Sequence, residues 1–219
     1  MNQIVQDKMA REIMVVKNEY LFANTPRETQ FYSQSEANFE KIILDQYEYM
    51  VRREAETNFE YKQPIPYAVL VDEQDRVFVY KRGGAGSNAG EARLHSKISY
   101  GIGGHIERED EHLDHPINDS LVREIEEETG IGEKNIVSIE AIGYINDEQN
   151  EVAQVHIGVA YIVRVHDVSV ELLDGELENG EFYSLDEIEQ MNNSCEYDLE
   201  TWSEILFQPM HDILKKAGV

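Results

Sequence analysis

The sequence of 219 residues lacks features that direct a chain into a membrane or an oxidising compartment. Its single cysteine, Cys195, has no partner for an internal disulfide, which is typical of proteins in a reducing cytoplasm. No segment approaches the roughly 20 apolar residues of a membrane-spanning helix. The N-terminal MNQIVQDKMAREIMVV also lacks the apolar core of a signal peptide. We therefore expect a cytoplasmic protein with no membrane partner.

Basic residues are scarce as well. Lys and Arg number 19 against 44 Asp and Glu, and the formal net charge is -25. Such a charge argues against non-specific binding to nucleic acid or to anionic membranes, because both are themselves negative. An anionic small molecule would need metal ions or a local basic patch to approach this protein.

The first 60 residues contain few elements of their own. EIMVVKNEYLF, residues 12–22, predicts a short strand pair with a turn near Lys17. Residues 35–56 have apolar positions at helical spacing, which predicts one helix capped by Ser35. One helix and one strand pair cannot form an independent core. We expect this segment to pack on the rest of the chain or on a second subunit, so a homodimer is one expected state.

The prolines of YKQPIPY mark the predicted domain boundary. They divide the chain into an N-terminal αβ extension, residues 1–60, and a main domain, residues 61–219. The main domain begins with a predicted hairpin, Ala68–Val71 and Val77–Tyr80, followed by a glycine-rich loop. Later elements are predicted strands over 135–146 and 153–166, a helix capped by Ser184 and Glu187, and a terminal helix over 199–217.

The stretch LVREIEEETGI, Leu121 to Ile131, predicts an unusually acidic helix that Gly130 ends and Asn118 or Asp119 caps. One helical face is apolar and consists of Leu121, Ile125 and Thr129. A second face carries Glu124, Glu127 and Glu128, at positions i, i+3 and i+4. Converging carboxylates suit a hard cation such as Mg²⁺ or Mn²⁺. The alternative is a solvated acidic surface helix.

Together with GGHIE upstream, REIEEETGI resembles the signature box of the Nudix hydrolases. Arg123 to Ile131 matches every fixed position of the second half of that box, and Gly104 matches its opening glycine. Five additional residues lie between these halves, so Glu109, Asp110 and Glu111 are all candidates for the first box glutamate. Residues 65–190 follow the family's order of elements. The resemblance implies an α+β fold, a Nudix-type α/β/α sandwich with a mixed central sheet.

The resemblance also implies hydrolysis of a diphosphate linked to another moiety, often a nucleoside. Glu124, Glu127 and Glu128, with the carbonyl of Gly104, would hold Mg²⁺ or Mn²⁺. Arg123 would orient a ligand glutamate, since Glu127 lies four residues later. The general base would be a box glutamate or one of four loop residues, Glu148, Glu151, Glu196 or Glu200. The alternatives are a diphosphate isomerase, a ligand-binding module of the same fold, or an acidic interaction protein outside the family.

Positive side chains flank the glycine-rich loop and are candidates to receive substrate phosphates. We assign this role to Arg82, Arg93 and Lys97, with solvated loop tips as the alternative. His156 on a predicted strand could line the pocket, or it could be a hydrogen-bonded histidine of the sheet. A zinc site over His105, His112 and His115 is conceivable, although it has no cysteine nearby.

Overall fold

The structure is a computed structural model that describes residues 3–82, 97–112, 115–166, 168, 177–194 and 197–217. Its helices are α1 Gln3–Ala10, α2 Asn18–Leu21, α3 Phe39–Gln46, α4 Arg52–Ala55, α5 Pro116–Thr129, α6 Glu151–Gln154, α7 Leu185–Asn193 and α8 Thr201–Ala217. Its strands are β1 Glu12–Lys17, β2 Gln30–Ser33, β3 Glu48–Val51, β4 Tyr61–Val71, β5 Val77–Arg82, β6 Ile98–Ser99, β7 Ile136–Asn146, β8 His156–Val165 and β9 Leu177–Tyr183. None of the described helices is long and apolar enough to cross a membrane.

The described residues form two compact units. The first comprises Met1–Tyr67, Gly103–Leu121 and Ile142–Ala160, and the second comprises Ala68–Ile102, Val122–Ala141 and Tyr161–Val219. Four elements, β4, α5, β7 and β8, run from one unit into the other. Of the signature box, Gly104 belongs to the first unit, whereas Arg123, the box glutamates and Gly130 belong to the second.

The first unit is built on strands in the order β2-β7-β8-β4-β1-β3. Strand β1 pairs antiparallel with both β3 and β4, and β2 pairs antiparallel with β7. Phe39 of α3 is fully buried, and its ring lies 5.2–5.4 Å from the rings of Phe22, Tyr32 and Tyr144. The N-terminal residues thus enter the same sheet and core as the segments that follow them.

The second unit is organised around β5, which pairs with β4, β6 and β9. The predicted hairpin is confirmed: Val71 pairs with Val77, and Asp72 Oδ1 accepts from the backbone N–H groups of Gln74 and Arg76 at 2.9 and 2.8 Å. A parallel bridge joins Ile98 to Leu199. Parallel and antiparallel contacts together make the sheet mixed, which confirms the predicted α+β class.

The helix predicted over residues 35–56 is wrong as a single element. The helix α3 begins after Asn38, whose side chain accepts from Lys41 N, and not after Ser35. The chain then forms β3 and α4, because the residues EYMV pair with β1, where Tyr49 lies opposite Met14. A strand partner from elsewhere in the chain has overridden the local helical periodicity.

The remaining differences also arise from pairing between distant segments. Only Glu12–Lys17 of the predicted strand pair is a strand, and Asn18–Leu21 is helical. The segment between residues 22 and 35, for which the sequence predicts no strand, contains β2, whose Phe31 pairs with Ile145. These partners are more than 100 residues apart, so no local pattern indicates them.

The two prolines of YKQPIPY lie inside β4 and not in a loop. Gln63 N–H donates to Val155 O at 2.7 Å, so odd-numbered positions here face that neighbouring segment. Pro64 and Pro66 alternate with Gln63 and direct their missing N–H groups to the opposite edge, where a strand tolerates proline. At that edge a Cβ on Gly103 would lie 1.9 Å from Pro66 O. Because no side chain fits at this distance, packing against β4 requires glycine at position 103, the second glycine of GIGG.

Candidate active site

The acidic helix α5 has the predicted faces. Leu121, Ile125 and Thr129 are each 0% exposed. The helix begins three to four residues earlier than predicted, at Pro116, since proline suits the first turn where no N–H is needed. Asp119 instead accepts from His115 N at 3.0 Å. Gly130 ends the helix with φ 71°, a left-handed conformation that glycine adopts without strain.

The second face of α5 carries Glu124, Glu127 and Glu128 in three environments. Arg123 Nη1 lies 2.7 Å from Glu124 Oε1 and 3.4 Å from Glu127 Oε2, which confirms the predicted ion pair with Glu127. The side chain of Glu124 is 14% exposed and that of Glu127 is 60% exposed. Glu128 is buried, whereas Glu126 is exposed, as its position outside this face predicts.

This arrangement fits a bound cation. One guanidinium nitrogen already contacts oxygens of both Glu124 and Glu127, so positive charge is accommodated between these two carboxylates. Glu128 lies four residues after Glu124, on the same face of the helix, and is buried. Oxygen-only donors of this kind match Mg²⁺ or Mn²⁺. The donor atoms of the three glutamates do not, however, form one of the tight metal-type groups found among the described residues.

The tight group lies in the first unit and consists of Glu56, His105 and His156. One possible ligand atom from each residue lies within 4.8 Å of the other two. His156 Nε2 is 3.3 Å from His105 Nε2, and His156 Nδ1 is 2.7 Å from Val152 O. Burial lowers the pKa of His156, against the opposing effects of the Glu56 charge and the Val152 carbonyl. His156 is therefore a partly buried, hydrogen-bonded histidine beside a second histidine.

The zinc site considered over His105, His112 and His115 is not formed by the described side chains. His105 contacts His156, whereas His115 Nδ1 accepts from Asn118 N at 3.3 Å. The side chain of His112 lies outside the described residues. The histidine that contacts His105 is His156, which lies on a strand 51 positions later, and not a histidine nearby in the sequence.

The candidates for the first box glutamate differ in their contacts. Asp110 is buried, and its Oδ2 accepts from Glu107 N at 2.8 Å, while Glu109 is exposed. The side chain of Glu111 lies outside the described residues. Sequence reasoning did not consider Glu107, which lies just before these three residues. Glu107 Oε1 accepts from Arg11 Nη1 at 2.5 Å, so this carboxylate already has a cationic partner.

The predicted phosphate-binding cations do not form one described patch. Lys97 Nζ donates to Asp198 Oδ1 at 3.0 Å and to Leu199 O at 3.1 Å. Arg82 ends β5, and its backbone N–H donates to Lys97 O at 2.8 Å. Arg93 lies outside the described residues. The contacts of Lys97 show it bound to the C-terminal segment.

The general-base candidates are mostly engaged in structural contacts. The carboxylate of Glu148 accepts hydrogen bonds from Lys62, Arg27 and Asn146. Glu200 is buried, and its Oε2 accepts from Ser99 Oγ at 2.8 Å. Glu151 is exposed at the start of α6, and Glu196 lies outside the described residues.

Comparisons with known proteins point to one family. The family model of the NUDIX domain matches residues 62–202. Protein YmaB of Bacillus subtilis (strain 168) is 36% identical over 163 residues, which cover 73% of this chain and 76% of that protein. The structure of Tm1382, a candidate Nudix hydrolase, is 29% identical with a TM-score of 0.74, and the match covers 92% of this chain and 99% of that one.

A more distant structure shares the fold alone. The NUDIX domain of Shewanella oneidensis NrtR, solved with ADP ribose, is 15% identical with a TM-score of 0.52, and the match covers 70% of this chain and 88% of that one. The chain therefore belongs to the Nudix family. It is a Nudix hydrolase, an enzyme that hydrolyses phosphoanhydrides, which confirms the resemblance read from the box.

Proposed function

We propose that this hydrolase acts on a nucleoside diphosphate linked to another moiety, or on a related diphosphate, and that it depends on Mg²⁺ or Mn²⁺. The observation that carries the proposal is the position of Arg123, whose Nη1 contacts both Glu124 and Glu127 on the box helix. Those two carboxylates and the buried Glu128 would hold the ion. When bound, the ion supplies charge neutralisation on the phosphates and alignment of a water.

The residues of the chain would then have separate roles. Arg123 holds Glu124 and Glu127 in place, which reduces the repulsion of neighbouring like charges on one helical turn. Gly104 would offer its carbonyl to the ion. Arg82, Arg93 and Lys97 remain the proposed phosphate-binding residues, and Lys97 would have to exchange its contact with Asp198 for one with substrate.

Glu148 and Glu200 are poor candidates for the general base, because their carboxylates already accept hydrogen bonds from Arg27 and Ser99, respectively. A box glutamate or Glu151 is the better candidate for this role. We also propose a cytoplasmic location, on the basis of the single cysteine.

The test pairs Glu127→Gln with Glu126→Gln, two adjacent glutamates of which one is on the proposed cation face. Turnover is measured on a panel of nucleoside diphosphate-linked compounds, including ADP ribose, with Mg²⁺ or Mn²⁺. We expect Glu127→Gln to fold normally and to lose about a hundredfold in turnover, the scale of removing a charge-stabilising group. Glu126→Gln should stay within about twofold of the unmodified chain, since exposed groups away from such sites matter little.

Unchanged turnover in Glu127→Gln would remove the assigned role. Equal turnover with and without divalent cation, after chelation, would contradict the metal dependence. Binding of the panel compounds without any release of phosphate or monophosphate would favour a ligand-binding module. Conversion to an isomeric diphosphate would favour an isomerase.

A further inference from the structure

The Glu56, His105 and His156 group has a chemistry unlike that of the box glutamates. Glu56 directly follows α4, His105 follows Gly104 in the loop before α5, and His156 begins β8. Their ligand atoms lie within 4.8 Å of one another, although the residues come from three separate parts of the first unit. The two imidazole rings meet nearly edge to face, with centroids 5.4 Å apart.

The tautomer of His156 is set by its neighbour. A carbonyl oxygen only accepts, so Nδ1 at 2.7 Å from Val152 O carries the proton, and Nε2 of the neutral ring presents its lone pair. Metal-binding histidines are commonly oriented by this kind of hydrogen bond from the other ring nitrogen to a backbone carbonyl. The lone pair of His156 Nε2 points to the same space as His105 Nε2, at 3.3 Å.

The surrounding side chains also fit a site. Arg52 Nε donates to Glu56 Oε1 at 3.1 Å and so orients that carboxylate, whose side chain is 17% exposed. Gln63 is 0% exposed, its Oε1 lies 2.8 Å from His105 Nε2, and its amide nitrogen has no hydrogen-bond partner among the described residues. The acceptor oxygen of this buried side chain therefore faces the histidine pair.

We propose that Glu56, His105 and His156 form a second metal site, for a borderline divalent ion such as Zn²⁺. Two imidazole nitrogens and one carboxylate oxygen suit Zn²⁺ and related transition ions, whereas Mg²⁺ prefers oxygen ligands only. Binding requires His105 to carry its proton on Nδ1, which leaves Gln63 Oε1 as a further oxygen beside the ion. Because Glu56 precedes β4 and His105 follows Gly104, the ion would link the N-terminal segment to the box loop.

The site is tested on the full chain after removal of metals by a chelator. Zn²⁺ binding is measured by calorimetry, and Co²⁺ is used as a spectroscopic probe whose visible absorption reports coordination by nitrogen and its geometry. With Mg²⁺ in excess to occupy the box carboxylates, we expect one Zn²⁺ per chain and a rise in Tm with Zn²⁺ concentration, because the ion binds the folded state. Replacing a ligand in His105→Gln or Glu56→Gln should weaken Zn²⁺ binding at least about tenfold.

The controls separate this site from other histidines and from the box. His166→Gln removes a histidine outside the group, and Glu127→Gln removes a box carboxylate, so both should bind Zn²⁺ as the unmodified chain does. Far-UV circular dichroism of each metal-free variant checks the fold. If His105→Gln unfolds, the Zn²⁺ affinity of Glu56→Gln, a substitution at the end of a short helix, tests the site instead. Absence of Zn²⁺ binding, or an affinity in both ligand variants equal to that of the unmodified chain, overturns the proposal without affecting the proposed hydrolysis.

Discussion

Replacing Glu148 by glutamine tests whether this residue serves structure or catalysis. Lys62 is 0% exposed, and its Nζ lies 2.8 Å from Glu148 Oε1. Arg27 Nη2 lies 2.8 Å from Glu148 Oε2, and Asn146 Nδ2 donates to Oε1 at 3.1 Å. The carboxylate thus joins two cations from the N-terminal half of the first unit to the end of β7. Its removal takes the ion-pair partner from a buried ammonium, which among the described residues keeps hydrogen bonds only to the carbonyl oxygens of Asp147 and Ala153.

The magnitude follows from this geometry. Removing one partner of a buried ion pair costs about 3–5 kcal/mol. Glutamine keeps one neutral acceptor, and the side chain of Glu148 is 21% exposed to water, so we expect about 2–3 kcal/mol. Lys62 limits the loss further: burial lowers its pKa to about 8 despite Glu148, and without that carboxylate it becomes neutral more readily. For a chain of this length the Tm should fall by about 4–12 °C.

The assay is thermal unfolding followed by circular dichroism at pH 7, with Glu151→Gln as the matched control. Glu151 is exposed three residues away, so its replacement should change Tm by less than about 2 °C. A Glu148→Gln chain as stable as the unmodified one would refute the structural reasoning. A large loss of turnover in a Glu148→Gln chain of unchanged stability would instead identify this residue as the general base.

The effect should also depend on pH. Burial by itself would raise the pKa of Glu148, but hydrogen bonds from Arg27 and Lys62 outweigh it and lower that pKa below the ordinary 4.5. As the pH falls, the unfolded chain therefore takes up the proton first. The stability that Glu148 contributes is fully present above about pH 4.5 and is lost as the pH falls through the lower folded-state value. The Tm difference between the unmodified chain and Glu148→Gln should shrink over that range.

Two further substitutions test the fold. Gly143→Ala should destabilise by about 1–3 kcal/mol, because its Cβ would lie 2.4 Å from Tyr32 O across the β2–β7 pair. Chemical denaturation measures this, and a loss below about 0.5 kcal/mol would contradict the register. Asn38→Ala should cost about 1 kcal/mol as the cap of α3, whereas Ser35→Ala should cost less than about half of that. Equal losses of stability in Asn38→Ala and Ser35→Ala would contradict a helix that begins after Asn38 and would favour the longer helix that the sequence predicts.

The box helix could be read from the sequence because its pattern is local. Leu121, Ile125 and Thr129 recur at helical spacing, and all three are buried. Gly130 ends the helix as predicted, since only the residue itself has to adopt the left-handed conformation. The capping box of Ser184 and Glu187 is confirmed for the same reason. The ion pair of Arg123 with Glu127 likewise depends only on a separation of four residues on one helix.

The N-terminal strands could not be read in this way. The segments that form β2 and β3 have no strong pattern of their own, and each becomes a strand because a partner strand satisfies its backbone hydrogen bonds. Asn38, and not Ser35, caps α3, because the Asn38 side chain accepts from Lys41 N. The helix ends at Gln46, because the residues that follow it pair with β1. The prolines of β4 are tolerated because their missing N–H groups face away from Val155.

By itself, the sequence determined the carboxylate face of α5 and the family to which it belongs, because residues three and four apart on a helix are neighbours in any fold. Only the tertiary structure brought Glu56, His105 and His156 together, since β8 and the box loop are 51 positions apart at the two histidines. Chain connectivity places no restraint on side chains so far apart, and packing of the first unit's sheet alone fixes their distance.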